Sequence, residues 1–333
     1  MTKKVLSFKA SDFQENLQKY FSFAVVVLLI VIFTVMQPNF LNSANVVNLL
    51  SDSAPLMIMA AGMTPILFLG SIDLSIGAMC SVGNVLVLRL MMSLANYFYS
   101  PAVVIIISSL LTMLVGVVSG IVLGGIHVKL KIPSFIASLA FMSIWKSGAL
   151  LISNAPVALP KKLYSSINWY SIHIGPVGLP LILAIILIII FYILMTLTPF
   201  GKGIYAIGAN ERAARIAGIK VDKYKIIAFA MNGFCSTTGA IFLMAKSKSS
   251  APTVGDAFTL MVISAVVLGG TALIGGSGNI LKTILGVFIV AIIKNGMNMV
   301  GVNVYWQKIV YGVIILIAIA ISADRSSRSF VVK

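Results

Sequence analysis

The stretch GKGIYAIGANERAARIAGIKVDKYK, residues 201–225, is the one long polar and basic segment of an otherwise apolar chain. Its basic residues, which outnumber its acidic Glu211 and Asp222, are Lys202, Arg212, Arg215, Lys220, Lys223 and Lys225. About six apolar runs of bilayer-spanning length precede this segment and about four follow it. The segment therefore divides the chain into two halves.

The composition is that of a membrane protein. Of the 333 residues, 59% are hydrophobic and 10% are charged, and the mean hydropathy is +1.07. A soluble domain contains about 25% charged residues, and about 20 apolar residues suffice to cross ~30 Å of hydrocarbon. An outer-membrane barrel would show short alternating segments instead. The expected fold is all-α: a polytopic transmembrane helical bundle of about ten spans, in a single domain of residues 1–333.

The predicted spans are Phe23–Met36, Leu56–Leu69, Ile76–Met92, Pro101–Ile126, Phe135–Ser153, Leu181–Leu197, Ile226–Ala245, Phe258–Gly269, Ile280–Met299 and Val304–Ile321. An even number of spans that starts inside predicts two cytoplasmic termini, residues 1–22 and 324–333, and a cytoplasmic loop at 201–225. The inner segments 1–20, 127–131, 201–225 and 324–333 hold 15 of the 24 Lys and Arg residues, whereas the outer segments 154–178 and 246–256 hold four. This asymmetry follows the positive-inside rule. It also accounts for the net charge of +16, so no nucleic-acid partner is expected.

Two glycine-rich breaks interrupt the apolar pattern, GSIDLSIG at 70–77 and GGTALIGGSG at 269–278. At an offset of 199 residues, Leu69, Gly70, Leu74 and Gly77 match Leu268, Gly269, Leu273 and Gly276. Transporters are often duplicated, with interrupted helices at matching places. Two pseudo-repeated halves are therefore predicted, with chance matching of Gly as the alternative. The predicted structural helix breaks are Gly70, Asp73, Gly77, Gly269 and Gly270.

Few ionisable residues lie within the predicted spans or their breaks. Asp73 can accept backbone hydrogen bonds at the start of the helix near Leu74, or it can belong to an ion relay at membrane depth. Arg89, Lys146 and Lys294 can extend toward the membrane surface. Because these charges show no partner pattern, the capping interpretation of Asp73 is favoured over a relay.

The sequence lacks the common catalytic and nucleotide-binding motifs. It contains no GxxxxGK[ST], HExxH or GxSxG pattern. Cys80 and Cys235 lie among apolar residues and form no CxxC or Cys/His metal spacing. We therefore predict no catalytic residue, metal site or cofactor, and do not expect an enzyme.

A short capped helix is predicted inside the basic segment. Asn210 is a good N-cap, Glu211 suits the first turn, and Gly218 is a natural C-terminal stop. Its small alanine face can press into a groove of a partner, while its arginines offer charge to an acidic rim. The alternative is a solvated loop that only sets the topology. The candidate docking residues are Asn210, Glu211, Arg212, Ala213, Ala214, Arg215 and Gly218.

The chain resembles the membrane permeases of ribose-type ATP-binding-cassette (ABC) sugar importers. The resemblance runs from about Phe40 to Ile321, and four stretches carry it: GSIDLSIG (70–77), the segment 201–225, AVVLGGTALIGGSGNILKTILG (265–286) and NGMNMVGVNVYWQKIV (295–310). The family also includes permeases for xylose, galactose, allose and autoinducer-2. In one place the chain departs from the pattern, since residues 258–263 lack the acidic residues found just before AVVLGG in ribose-type permeases.

The resemblance implies partners that this chain lacks. A second permease copy or paralogue, a cytosolic ABC ATPase and an extracytoplasmic sugar-binding protein would assemble with it in the bacterial inner membrane. The motif from Glu211 to Ala214, followed by Gly218, would be the coupling helix on which the ATPase docks, and segments 154–178 and 246–256 would receive the binding protein.

The expected function is import of a simple sugar, a pentose or hexose, powered by the separate ATPase. An autoinducer-2 importer and an ion-driven secondary carrier acting alone are the alternatives. A neutral polar solute needs hydrogen-bonding partners along its path, although the same side chains can instead join helices. The candidate pathway residues are Asn84, Asn232, Ser264, Asn295 and Asn298.

Overall fold

The computed structural model describes residues 22–303, 305–307, 309–313 and 316, and most of these residues are helical. The helices are α1 (Ser22–Met36), α2 (Ser43–Phe68), α3 (Ile76–Leu94), α4 (Pro101–Lys129), α5 (Ser134–Ile152), α6 (Leu179–Leu197), α7 (Pro199–Ala209), α8 (Glu211–Ile216), α9 (Val221–Ser247), α10 (Phe258–Leu268) and α11 (Ile280–Met299). Two 3₁₀ helices, Pro38–Leu41 and Lys161–Ser171, lie between them. The predicted all-α polytopic membrane fold is confirmed.

The prediction of ten spans is not exact. In the described part of the chain, seven helices are long and apolar enough to cross a membrane, namely α2, α3, α4, α5, α6, α9 and α11. Helix α10 has 11 residues, which at 1.5 Å per residue reach about 16 Å, half of the hydrocarbon thickness. The predicted eighth span, Phe258–Gly269, is therefore too short to cross alone, and α1 is also classed with the shorter helices.

Both ends of the chain carry predictions that the structure describes only in part. Of the predicted tenth span, Val304–Ile321, residues 305–307, 309–313 and 316 are helical and the remainder lies outside the described residues. The predicted cytoplasmic tail, 324–333, and residues 1–21 of the N-terminal segment lie outside them as well.

Several segments predicted as loops are helical. Residues 39–55, which lie between the first two predicted spans, enter α2 at Ser43, where the Asn42 side chain accepts a hydrogen bond from the Ala44 backbone at 3.1 Å. The basic segment 201–225 is mostly helix, because α7, α8 and the start of α9 occupy it. The start of a polar segment therefore does not mark the end of a helix, because a helix can continue past the apolar stretch that crosses the membrane.

Helix α9 lies at the centre of the bundle and packs against α2, α3 and α4. Glycine permits its closest approach to α4, because a Cβ atom on Gly120 would overlap the backbone carbonyl of Phe229. Small residues at such a crossing let membrane helices approach closely.

The two predicted breaks end their helices in the same way. After α2, Gly70 adopts φ +67° and the backbone N–H of Ser71 donates to the carbonyl five residues earlier at 3.1 Å. After α10, Gly270 adopts φ +84° and Thr271 donates to the carbonyl five residues earlier at 3.3 Å. Both are Schellman motifs, in which glycine provides the left-handed residue.

The structural offset between the breaks is therefore 200 residues and not the predicted 199, which paired Gly70 with Gly269. The correspondence also ends sooner than predicted, because Gly77 lies in α3 whereas Gly276 lies in the loop before α11. The breaks touch each other, since the backbone N–H of Gly276 donates to the carbonyl of Phe68 at 2.9 Å.

Short strands occupy the end of the bundle opposite α8. Strand β1 (Val157–Ala158) pairs with β4 (Ser249–Ser250), and β2 (His173–Ile174) pairs with β3 (Val177–Gly178), both antiparallel. The first pair joins the two segments 154–178 and 246–256, which the sequence placed on one face of the membrane.

Candidate functional site

Helix α8 is held at both ends by the predicted caps. The side-chain oxygen of Asn210 accepts a hydrogen bond from the backbone N–H of Ala213 at 3.0 Å. At the other end Gly218 adopts φ +83°, and the backbone N–H groups of Gly218 and Ile219 donate to carbonyls of α8 at 3.2 and 3.0 Å. These contacts satisfy backbone groups that a six-residue helix cannot pair internally.

Ion pairs tie α8 to the start of α9. Arg215 contacts Glu211 at 3.2 Å and Asp222 at 2.8 Å, and Lys225 contacts Glu211 at 2.8 Å. Apart from Lys225, whose side chain is 12% exposed, the paired side chains are about half exposed, and exposed ion pairs add little stability individually. Together they fix the direction of α8 relative to α9.

The same ion pairs set the protonation of the segment. Partial burial raises the pKa of Glu211, but the hydrogen bonds and positive charges of Lys225 and Arg215 outweigh it and hold that pKa below its ordinary value. The hydrogen bond to Asp222, with that to Glu211, raises the pKa of Arg215. The segment therefore keeps both signs of charge at neutral pH.

The side chains of α8 divide into an inward and an outward set. Ala214 is buried against the bundle, and Arg215 is engaged in the ion pairs. Arg212 and Ala213 are exposed, and Ile216 is 80% exposed. Sequence reasoning missed Ile216, although a large apolar residue in a basic segment was a usable signal.

Helix α7 connects this element to the breaks. A Cβ atom on Gly208 would overlap the carbonyl of Phe68 and approach the backbone N of Gly276 at 2.5 Å. The Tyr205 hydroxyl donates to the carbonyl of Gly278 at 3.0 Å, and its ring lies 4.6 Å from that of Phe68. A movement of α7 would therefore change the contacts that it makes with both breaks.

Asp73 lies in the first break and is buried. One carboxylate oxygen accepts from the backbone N–H and the hydroxyl of Ser75 at 2.8 and 2.6 Å, in the turn that precedes α3. The other oxygen accepts from the side-chain amide of Asn232 on α9 at 2.8 Å. The carboxylate thus joins the first break to the central helix.

Three of the five predicted pathway residues are buried and bonded within the protein. Asn84 donates to the carbonyl of Ala240 at 3.2 Å and accepts from the backbone of Ala251 at 2.9 Å. Asn232 binds Asp73 as described, and Ser264 donates to a carbonyl of its own helix at 2.7 Å. In this structure Asn84 and Asn232 join different segments of the bundle, whereas Ser264 is bonded within its own helix.

The remaining two, Asn295 and Asn298, line a cleft of about 100 Å³. The cleft lies between α2, α10, α11 and the end of α9, and its walls are Leu49, Asp52, Ser53, Leu56, Lys246, Phe258, Met261, Ala291, Lys294, Asn295 and Asn298. Lys246 forms an ion pair with Asp52 at 2.6 Å across it. The ammonium group of Lys294 lies 5.4 Å from the centroid of the Phe258 ring.

The scattered charges of the predicted spans have partners that the sequence pattern did not reveal. Lys146 on α5 forms an ion pair with Asp256 at 3.1 Å. Arg89 approaches the hydroxyl of Ser153 at 3.5 Å. Neither contact connects to Asp73, so the described residues do not assemble these charges into one relay.

The helical bundle, its two glycine-rich breaks in contact and the helix α7 that packs against both breaks define a polytopic membrane protein, and the comparisons give its class. The family model for the permease component of branched-chain amino acid transport systems matches residues 45–319. The ribose import permease protein of Bacillus subtilis (strain 168) is 33% identical over 320 residues, covering 96% of this chain and 97% of that protein.

Two further relatives have the same extent. The ribose import permease protein of Escherichia coli (strain K12) is 33% identical over 305 residues, 90% of this chain and 92% of its own. The D-allose transport system permease protein of the same strain is 27% identical over 308 residues, 91% of each chain. The chain belongs to the ribose-type family of ABC importer permeases. No solved structure matches it.

Proposed function

We propose that this chain is the membrane permease of an ABC importer that carries a simple sugar, a pentose or hexose, into the cytoplasm. The observation that carries the proposal is similarity to ribose import permeases along nearly the whole chain, with 96% of it covered by the Bacillus subtilis relative. The entire chain, residues 1–333, acts as one permease domain.

The proposed partners bind at the two ends of the bundle. A separate cytosolic ATPase docks on α8 through the exposed side chains of Arg212, Ala213 and Ile216. A sugar-binding protein delivers the solute to the opposite end, on segments 154–178 and 246–256. A second permease copy or a paralogue completes the pathway.

The orientation in the bacterial inner membrane follows the basic residues. The segment 201–225, with its excess of Lys and Arg, lies on the cytoplasmic face, and both termini lie on that face as well. The β1–β4 pair then lies outside, where it can meet the binding protein.

In the proposed mechanism, movement of the ATPase is passed to the helices of the permease. ATP binding closes the ATPase dimer and displaces α8. The Glu211–Lys225 and Arg215–Asp222 ion pairs pass this displacement to α9, and α7 passes it to the two breaks. The two permease copies then rock between outward-open and inward-open states.

The docking step is tested by measuring the affinity of the cognate ATPase for the purified permease. Ile216→Asp removes an apolar side chain worth about 1.5–3 kcal/mol when buried, so affinity should fall by roughly 10- to 100-fold. Ile174→Asp is the matched control, because Ile174 is also exposed but lies on β2 at the opposite end. Equal affinity of Ile216→Asp and the control would refute docking on α8.

A further inference from the structure

We propose that the cleft between α2, α9, α10 and α11 is an entry site for the neutral sugar, which binds there through the hydroxyl groups along one edge of its ring. The inference rests on the proposed transport function and gives that function a binding site within this chain. The cleft volume of about 100 Å³ equals that of roughly three water molecules in the liquid. It therefore has room for about two or three hydroxyl groups, and the rest of the ring would lie in the mouth of the cleft.

The cleft lies at the end of the bundle opposite α8. Its walls come from the first turns of α2, the last turn of α9, the start of α10 and the end of α11. The segment 246–256, on which the binding protein is proposed to dock, begins at Lys246 in the α9 wall. A sugar released onto that segment would therefore meet this cleft first.

The α2 wall offers hydrogen-bond acceptors to a solute. Asp52 uses one carboxylate oxygen to bind Lys246 at 2.6 Å, and a carboxylate has about four acceptor sites in all. The hydroxyl of Ser53 donates its proton to the carbonyl of Leu50 at 2.7 Å, so its oxygen can only accept from another group. Both side chains line the cleft and can receive protons from a solute.

The α11 wall offers hydrogen-bond donors. Lys294 and Asn298 lie one turn apart on the same face of this helix and both line the cleft. The ammonium group of Lys294 only donates. The side-chain oxygen of Asn298 accepts from Gln307 at 2.7 Å, which leaves its amide NH₂ to donate to a solute.

Acceptors on one wall and donors on the other fit a solute group that both donates and accepts. A sugar hydroxyl has this property, so neighbouring hydroxyls of one ring can bind both walls at once. A zwitterionic amino acid fits less well, because the carboxylate that its ammonium group would need, Asp52, is already paired with Lys246. Leu56, Phe258 and Met261 form apolar parts of the walls, which suit the C–H groups of a sugar.

Sugar binding is tested on the purified full-length permease in lipid nanodiscs, without ATPase or binding protein. Saturation-transfer NMR is recorded with D-ribose, D-xylose, D-allose, D-glucose and L-leucine, and empty nanodiscs give the background. We expect a saturable signal from at least one sugar and none from L-leucine. The proposal is overturned by a saturable signal from L-leucine, or by the absence of one from all four sugars.

Asp52→Ala removes the acceptors of the α2 wall. A hydrogen bond to a charged group is strong enough that its loss should weaken sugar binding by roughly 10-fold or more. Asp256→Ala is the matched control, because Asp256 also forms one partly exposed ion pair with a lysine, Lys146, but does not line the cleft. This control should bind sugar as the unaltered permease does, and equal affinities in the two variants would overturn the proposal.

A second measurement covers an Asp52→Ala protein that does not fold. In the unaltered permease, acylation of Lys246 by an amine reagent is followed by mass spectrometry, with Lys146 as the internal reference. Both lysines are paired with an aspartate and are similarly exposed, at 42% and 48%. The sugar that gave the NMR signal should slow acylation of Lys246 and leave Lys146 unchanged. Equal slowing at both lysines would contradict the proposal.

The failure of this inference can be told apart from the failure of the proposed function. If the permease binds no sugar but takes up sugar in liposomes with its ATPase and binding protein, only the entry site is wrong. If the chain alone takes up sugar under an ion gradient, the importer function is wrong, whatever the NMR measurement shows.

Discussion

Asn232, 11 residues into α9, donates a hydrogen bond of 2.8 Å to the buried carboxylate of Asp73 in the break between α2 and α3. The same helix begins beside α8, where Lys225 is paired with Glu211, and carries Lys246 in its last turn, where it is paired with Asp52 on α2. Helix α9 therefore connects the proposed docking element, the first break and the cleft through polar contacts.

Loss of the Asn232 contact should destabilise the bundle. Asn232→Leu keeps the branched shape of the side chain and removes one hydrogen bond to a buried carboxylate, which costs about 1–3 kcal/mol. The thermal unfolding midpoint in detergent should fall by several degrees. Asn96→Leu, at an exposed position after α3, should change it little. An unchanged midpoint in Asn232→Leu would mean that the hydrogen bond from α9 to the Asp73 carboxylate does not stabilise the bundle.

Removal of the Lys225–Glu211 pair should weaken the coupling between ATP hydrolysis and solute uptake more than it lowers the stability of the permease. In Lys225→Met, α8 keeps its caps and the Arg215–Asp222 pair but loses one tie to α9. ATP hydrolysis by the bound ATPase should continue, while solute uptake per ATP falls severalfold. Uptake and hydrolysis that fall in equal proportion would contradict transmission through this pair.

The pH dependence of the same pair has a defined sign. The pKa of Glu211 is lower in the folded protein than its ordinary value. The stabilisation that the Lys225–Glu211 ion pair provides is therefore complete at pH values above the ordinary pKa of Glu211. It is lost as the pH falls through the lowered pKa. ATPase affinity should stay constant from neutral to mildly acidic pH and fall only in stronger acid, as a titration of binding against pH would measure.

The glycine of the first break should tolerate no side chain. Gly70 has φ +67°, and a Cβ atom there would lie 2.6 Å from the carbonyl oxygen of Ile274 in the second break. The left-handed conformation alone costs Ala about 1–2 kcal/mol, and the overlap adds to it. Gly70→Ala should lower the unfolding midpoint and reduce transport. Gly125→Ala in α4, where a Cβ meets nothing within 4 Å, should do neither.

The sequence predicted those features that depend on local chemistry. The bounds of α11 were predicted at both ends, because the apolar run begins and ends sharply. The caps of α8 were predicted as well, because Asn210 and Gly218 act on residues within the same turn. The two breaks were recognised from their glycines, although the alignment between them was wrong by one residue.

Features that depend on residues far apart in the chain could not be predicted. The first turns of α2, which carry Asn45 and Asp52, lie outside the predicted spans. These side chains are satisfied by Asn295 and Lys246, which are 250 and 194 residues away in the sequence. The burial of Ala214 likewise depends on how the ion pairs orient α8. A single sequence contains no signal for such pairings.

The central claim is that a separate ATPase drives this permease, and uptake by reconstituted liposomes tests it most directly. The chain is inserted alone, or with its ATPase and binding protein, and uptake is measured for a radiolabelled solute that the binding protein recognises. We predict uptake that requires all three components and ATP on the ATPase side, with none from the chain alone under a proton or sodium gradient. Gradient-driven uptake by the chain alone would contradict the account.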